Sequence, residues 1–211
     1  MLGEPLSDWR AKRRATATAD IVDAAWGLAR EHGLAGLSLR DLARRLGMAA
    51  PSLYSYFDSK HALYDAMFAD GWRAFLEFEP PVAEPDLRTA IWVGADRWIR
   101  FCLADPVRYQ LLSHRPIPGF EPSPESYAVA QEAYEQSFAP LKAVADVTQE
   151  DLDLITAMVG GLVSQQIAND PGGTRWVRLL DDVVDLATYR IENAAKKRVK
   201  QARRPAKKGG G

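Results

Sequence analysis

The sequence predicts an all-α protein. Apolar residues recur at i, i+3, i+4 and i+7 through almost every long segment, and no stretch of alternating β-branched residues interrupts them. Glycines and prolines fall between these periodic segments, where helices start and stop. With 211 residues, 47% of them hydrophobic, the chain has enough apolar material for one domain or two small ones.

The first helix is expected to begin after Thr16 or Thr18 and to bury Ile21, Val22, Ala25, Trp26, Leu28 and Ala29. It stops at Gly33, a usual residue just past a helix end. Ser38 is a suitable N-cap for a short second helix over residues 39–46, striped by Leu39, Leu42, Ala43 and Leu46. Gly47 ends it, and Met48 and Ala49 complete a tight turn. A third helix is expected over residues 50–57, and Asp58 or Ser59 caps a fourth that reaches the prolines at 80 and 81.

Further helices are expected over residues 86–104 and, opened by Pro106, up to a proline-rich loop at 114–124. Pro124 starts another to about 144, with Pro140 expected to kink or shorten it. Thr148 and Asp151 form a capping-box start for a helix to about 167, and Thr174 opens the last, to about 197. The remaining "RVKQARRPAKKGGG" has no apolar face and is expected to be disordered.

Charge is distributed unevenly. Residues 1–60 hold nine bases against seven acids, residues 61–190 ten against twenty, and residues 191–211 eight against one. An acidic middle repels a polyanion, so any DNA contact is expected from the first sixty residues or the tail. The single cysteine, Cys102, has no intrachain partner, and a reducing cytoplasm is the expected location. The N-terminus does not read as a secretion signal, and the apolar run 154–163 is about half of the ~20 residues that a membrane-spanning helix needs. The three histidines, at 32, 61 and 114, show no metal spacing, and there is neither a phosphate-binding glycine loop nor a nucleophile elbow. Neither an enzyme, a cofactor nor a metal is expected.

The stretch "AAPSLYSYFDSK" at 49–60 carries the functional signal. Two short helices joined by a glycine-containing turn, with a third before them, outline a helix-turn-helix. Leu53 and Phe57 are four apart and point inward, Ala50 and Tyr54 share the opposite stripe, and Ser52, Ser55 and Tyr56 lie along its edges. Small residues early in the helix allow close approach to base edges, and Pro51 sits where its missing N–H has no helical acceptor to lose. Ser52, Tyr54 and Tyr56 can donate to phosphates, and Lys60 adds a cation at the start of the fourth helix. Arg10, Lys12, Arg13 and Arg14 precede the first helix as an arm that either enters a minor groove or stays solvated.

The run "GLAGLSLRDLARRLGMAAPSLYSYFDSKHAL" resembles the DNA-binding segment of the tetracycline-repressor (TetR) family, in which G-x-x-x-[ST]-x-R-x-[IL]-A-x-x-x-G-[VM] is followed by LY-x-[HY]-F-x-x-K. Gly36, Leu37, Ser38, Arg40, Leu42, Ala43, Gly47, Leu53, Tyr54, Tyr56, Phe57 and Lys60 fall in place. The resemblance implies a bacterial, nucleoid-associated homodimer on a palindromic operator, with recognition helices about 34 to 36 Å apart. Carried over by position, Arg40 is the base-reading arginine, Ala50, Pro51 and Tyr54 touch bases, and Ser38, Ser52, Ser55, Tyr56 and Lys60 hold phosphates. Ala49 departs from a good N-cap.

The organisation expected is a basic arm at 1–15, a DNA-binding domain at 16–65, a regulatory and dimerisation domain at 66–193, and a basic tail at 194–211. Trp72, Trp92, Trp98, Phe101, Tyr109, Phe120, Tyr127 and Tyr134 either line a cavity or fill the core. The resemblance implies such a cavity and a small effector, apolar or aromatic, that releases a repressor from its operator. Met158, Gly161, Leu162, Trp176, Leu180 and Val183, with Leu186 and Tyr189, are the expected dimer face. The alternative reading is a dimeric activator or architectural DNA-binding protein without a small-molecule switch.

Overall fold

The computed structural model describes residues 6–79, 82 and 85–202. Among these there are nine α-helices and no strand: α1 (Leu6–Gly36), α2 (Leu39–Arg45), α3 (Ala50–Tyr54), α4 (Lys60–Glu77), α5 (Leu87–Ala104), α6 (Pro106–Ser113), α7 (Pro124–Val144), α8 (Gln149–Asn169) and α9 (Leu180–Ala202). The chain divides into two compact units. One runs through Glu77 and takes in Asp105–Ala133; the other holds Phe78–Ala104 and the chain from Tyr134 onward.

In the first unit α1 packs on α2, α4 and α6, and α2 on α3. Its core is built from Ile21, Ala25, Trp26, Leu42, Leu53, Leu63, Tyr64 and Met67, each at most 2% exposed. Polar groups close the same contacts. Arg30 pairs with Asp105 at 2.7 Å, and Asp105 also caps α6 by accepting from the Arg108 N–H. The carboxylate of Asp65 accepts from the Ser123 N–H at 2.7 Å and from the Ser126 hydroxyl at 2.8 Å, tying α4 to the start of α7.

In the second unit α5 packs on α8 and α9, and α8 on α9. Arg88 of α5 reaches Asp185 at 2.7 Å and Asp181 at 3.0 Å on α9. The Thr148–Asp151 capping box forms as expected. Burial alone would raise the Asp151 pKa, but hydrogen bonds from Thr148 and the charges of Arg190 and Arg198 hold it below the ordinary value.

Four expectations need correction. The first helix begins at Leu6, not after Thr16 or Thr18, so Arg10, Lys12, Arg13 and Arg14 are helical and do not form an extended arm. Both threonines bond backwards, Thr16 to the Lys12 carbonyl at 3.1 Å and Thr18 to the Arg14 carbonyl at 2.9 Å, which satisfies their hydroxyls inside the helix rather than at a cap. The third helix ends at Tyr54, short of Phe57. Of the two outcomes expected at Pro140, an early end does not occur, since α7 continues to Val144. The last helix starts later, after a 3₁₀ turn over Val177–Leu179, and continues to Ala202, so the first part of the basic tail is helical. Arg198 holds that part to the Asp146 carbonyl at 2.6 Å. Residues 203–211 of the tail lie outside the described residues.

Candidate nucleic-acid interface

The turn between α2 and α3 is set by Gly47, at φ 63°, a left-handed conformation that suits glycine. Its N–H donates to the Arg44 carbonyl, and the Met48 N–H donates to Ala43 at 2.9 Å. This pair of bonds is a Schellman motif, which closes the end of α2 and turns the chain sharply into α3. Ser38 caps α2 from the other end, its hydroxyl accepting from the Asp41 N–H. The expected cap position of α3 is occupied by Ala49, which supplies no side-chain hydrogen bond.

α3 has two distinct sides. Leu53 and, just past the helix, Phe57 are buried at 1% and 5% exposure, while Pro51, Ser52, Tyr54 and Ser55 are exposed, Tyr54 at 53%. Ala50 and Tyr56 are half-buried beside them. The Ser55 hydroxyl donates to the Ser52 carbonyl at 2.7 Å, which leaves the Ser52 hydroxyl as the freer of the two.

The three arginines of α2 are in different states. Arg44 pairs with Asp41 at 2.9 Å, and Arg45 with Glu31 at 2.6 Å, a hydrogen bond that holds the Glu31 carboxyl below its ordinary pKa. Arg40 is exposed and makes no ion pair or hydrogen bond among the described residues. Its five donors therefore remain open, which is the state required to fork onto a guanine edge.

Lys60 is partly committed. Its ammonium donates to the Ala35 carbonyl at 3.0 Å and lies 5.4 Å from the centre of the Tyr64 ring, so it joins the end of α1 to α4 and keeps two donors for another acceptor. Ser59 caps α4 by accepting from the Ala62 N–H at 3.0 Å. The sequence offers Arg14 only as part of a basic arm. In the structure it donates to the Ser55 carbonyl at 2.7 Å and stacks over Tyr56 at 5.1 Å, and no local pattern announces a contact between groups 41 residues apart.

The aromatic candidates are spread over both units. In the first, Trp72 meets Phe68 and Phe75, Tyr109 meets His114, and Phe120 packs on His61 and Tyr64. Tyr127 is 54% exposed. In the second, Trp98 stacks on Phe101, which also touches Phe78, and Tyr134 meets Phe138. Trp92 is half-buried on α5. Of the dimer-face candidates, Leu162 and Leu180 are each only 7% exposed within the single chain, whereas Gly161 is exposed and Met158, Trp176 and Val183 are half-buried. Leu186 and Tyr189 of α9 are exposed at 61% and 71%.

A short helix with one buried and one polar face, set after a glycine turn on two supporting helices, has the geometry of a helix-turn-helix. Residues 21–67 match the family described as bacterial regulatory proteins, tetR family. Over 103 residues it is 31% identical to the HTH-type transcriptional regulator Rv1816 of Mycobacterium tuberculosis H37Rv. That match takes in 46% of this chain and 44% of the relative, so the chain spans less than half the length of that relative. Among solved structures, SCO4313 superposes with a TM-score of 0.65 at 22% identity, covering 84% of this chain and 97% of the other. A TetR variant from Acinetobacter baumannii AYE, in complex with minocycline, gives a TM-score of 0.54 at 22% identity over 81% of this chain and 96% of the other. At these identities the superpositions establish the shared helical fold. Among the described residues no helix is long and apolar enough to cross a membrane.

Proposed function

We propose that the protein is a sequence-specific transcriptional regulator that binds a palindromic operator as a homodimer and is released from it by a small apolar or aromatic molecule. The observation that carries this reading is the exposed face of α3, where Tyr54 is 53% exposed and its neighbour Leu53 is buried, with Arg40 of the preceding helix unpaired among the described residues. Arg40 reads a base, Ala50, Pro51 and Tyr54 touch base edges, and Ser38, Ser52, Ser55, Tyr56 and Lys60 hold phosphates. Residues 16–65 serve DNA, and residues 66–193 serve regulation and dimerisation.

The exposed Leu186 and Tyr189 on α9, with Met158 and Gly161 on α8, support a dimer face built from the last two helices. Leu162 and Leu180 support it from beneath as core. The Trp98–Phe101–Phe78 ring cluster supports an aromatic-lined effector site in the second unit, and the minocycline complex of a protein with this fold supports a small molecule as effector. The reading is of a regulator rather than an enzyme, acting in the cytoplasm on the nucleoid, and of repression rather than activation.

The test is fluorescence anisotropy of the purified protein with DNA from upstream of its own coding sequence, at several salt concentrations and against random competitor. Saturable binding that survives competitor is expected. Binding abolished by competitor on every duplex tried, with affinity tracking salt alone, would favour an architectural protein.

A further inference from the structure

We propose that Arg14 is a positioning residue for DNA reading, one that fixes the C-terminal end of α3 and so sets the aim of the face that carries Tyr54. The inference rests on the DNA-binding reading above. A helix of five residues is far below the length that sustains itself in water, so α3 takes its orientation from what it touches. At its N-terminus Ala49 contributes no side-chain hydrogen bond. On its inner side Leu53 and the following Phe57 are buried, and apolar contacts of that kind are non-directional. They fix which face of the helix turns inward, and the glycine turn fixes its start, but neither gives its C-terminal end a directional contact.

Arg14 supplies the directional contact. Its Nη2 donates at 2.7 Å to the carbonyl of Ser55, the C-cap residue, and the same guanidinium lies 5.1 Å from the centre of the Tyr56 ring. A planar guanidinium donates in its plane while stacking through its face, which an ammonium cannot do, so both contacts come from one side chain at once. A cation at this end also answers the unpaired carbonyls left by the last turn. The support is itself rigid, because α1 is helical from Leu6, and Ile21, Val22 and Ala25 anchor it in the core further along the same helix. Arg14 thus carries the orientation of the α1 core to the end of α3 nearest Tyr54.

An exposed arginine beside a DNA-facing helix has a competing role, contact with a phosphate, and the two differ in what they do to salt dependence and specificity. Full-length wild type, Arg14→Ala, Arg14→Lys and Tyr54→Ala are each titrated by anisotropy on two duplexes, one selected by the wild type from a random pool and one of random sequence, across a salt series. For Arg14→Ala we expect an affinity for the selected duplex at least about tenfold lower, the scale of one lost hydrogen bond to a charged group, with random-duplex affinity and salt slope unchanged. Arg14→Lys, which keeps the charge, is expected to recover only part of the loss. Equal losses on both duplexes with a salt slope shallower by about 0.9 per lost contact would make Arg14 a phosphate ligand and overturn the proposal. Wild-type behaviour of Arg14→Ala beside a weakened Tyr54→Ala overturns it alone. Wild-type behaviour of both variants overturns the DNA-reading assignment of α3 as well.

Discussion

The indole N–H of Trp26 donates a 2.8 Å hydrogen bond to the carboxylate of Asp70, joining α1 to α4 through groups 44 residues apart. Trp26 is 1% exposed, so without that acceptor its donor is stranded away from water. Asp70→Ala is expected to destabilise the first unit by about 1.5 to 3 kcal/mol, the range for a hydrogen bond to a charged group. Urea unfolding followed by tryptophan fluorescence measures it, and an unchanged midpoint would show that water replaces the carboxylate.

Gly47 occupies left-handed backbone at φ 63°, with nothing within 4 Å of where a Cβ would stand. Its replacement therefore tests backbone conformation alone. Gly47→Ala is expected to cost about 1 to 2 kcal/mol, read as a lower urea midpoint at constant slope. It should also reduce DNA affinity, because the same turn sets the angle between α2 and α3.

Tyr54, Lys60 and Arg40 separate by readout. Tyr54→Ala removes an exposed side chain and is expected to weaken operator binding with no change in thermal midpoint or dimer size. Lys60→Ala breaks the bond to Ala35, so it is expected to weaken binding and lower the midpoint together. Arg40→Ala is expected to relax base preference at one position of each half-site, worth about 1 to 3 kcal/mol of discrimination, in a series of mutated operators. A uniform loss across that series would place Arg40 on a phosphate instead.

Burial pushes the pKa of the Tyr64 hydroxyl up to about 12 from an ordinary value of 10.0, and that hydroxyl donates to the Leu34 carbonyl. The folded state thus holds this proton more tightly than the unfolded state. The resulting contribution to stability is complete below pH 10 and is lost as pH rises from about 10 to about 12. Urea midpoints of wild type are expected to fall across that window more steeply than those of Tyr64→Phe; parallel curves would remove Tyr64 from the alkaline transition.

On α8 and α9 the exposed and buried members of the apolar stripes predict opposite outcomes. Leu186→Glu with Tyr189→Glu, at 61% and 71% exposed positions, is expected to give a folded monomer by light scattering. Leu162→Ala, at a buried position, is expected to cost about 2 to 5 kcal/mol of stability. A dimer that survives the double charge substitution would move the interface off α9.

The helical class, the turn at Gly47, the Thr148–Asp151 cap and the two-sided character of α3 were all determined by the sequence alone, because each depends on residue type at short, fixed spacing. Periodicity places Leu53 and Phe57 inward whatever they touch, and glycine is favoured at a left-handed φ wherever one is needed. The tertiary structure decided the rest. Thr16 and Thr18 look like helix starts until their hydroxyls are seen to bond inside a longer helix. Leu162 and Leu186 look alike in a periodic stripe, and only packing distinguishes the one that α8 buries from the one that α9 exposes. Arg14, Arg40 and Lys60 are three similar cations in the sequence; one donates to the Ser55 carbonyl, one is unpaired among the described residues and one is tied to Ala35. The reason is physical: local spacing fixes backbone conformation over a few residues, whereas a side chain's partners come from segments 25 to 41 residues away and exist only once the helices have docked.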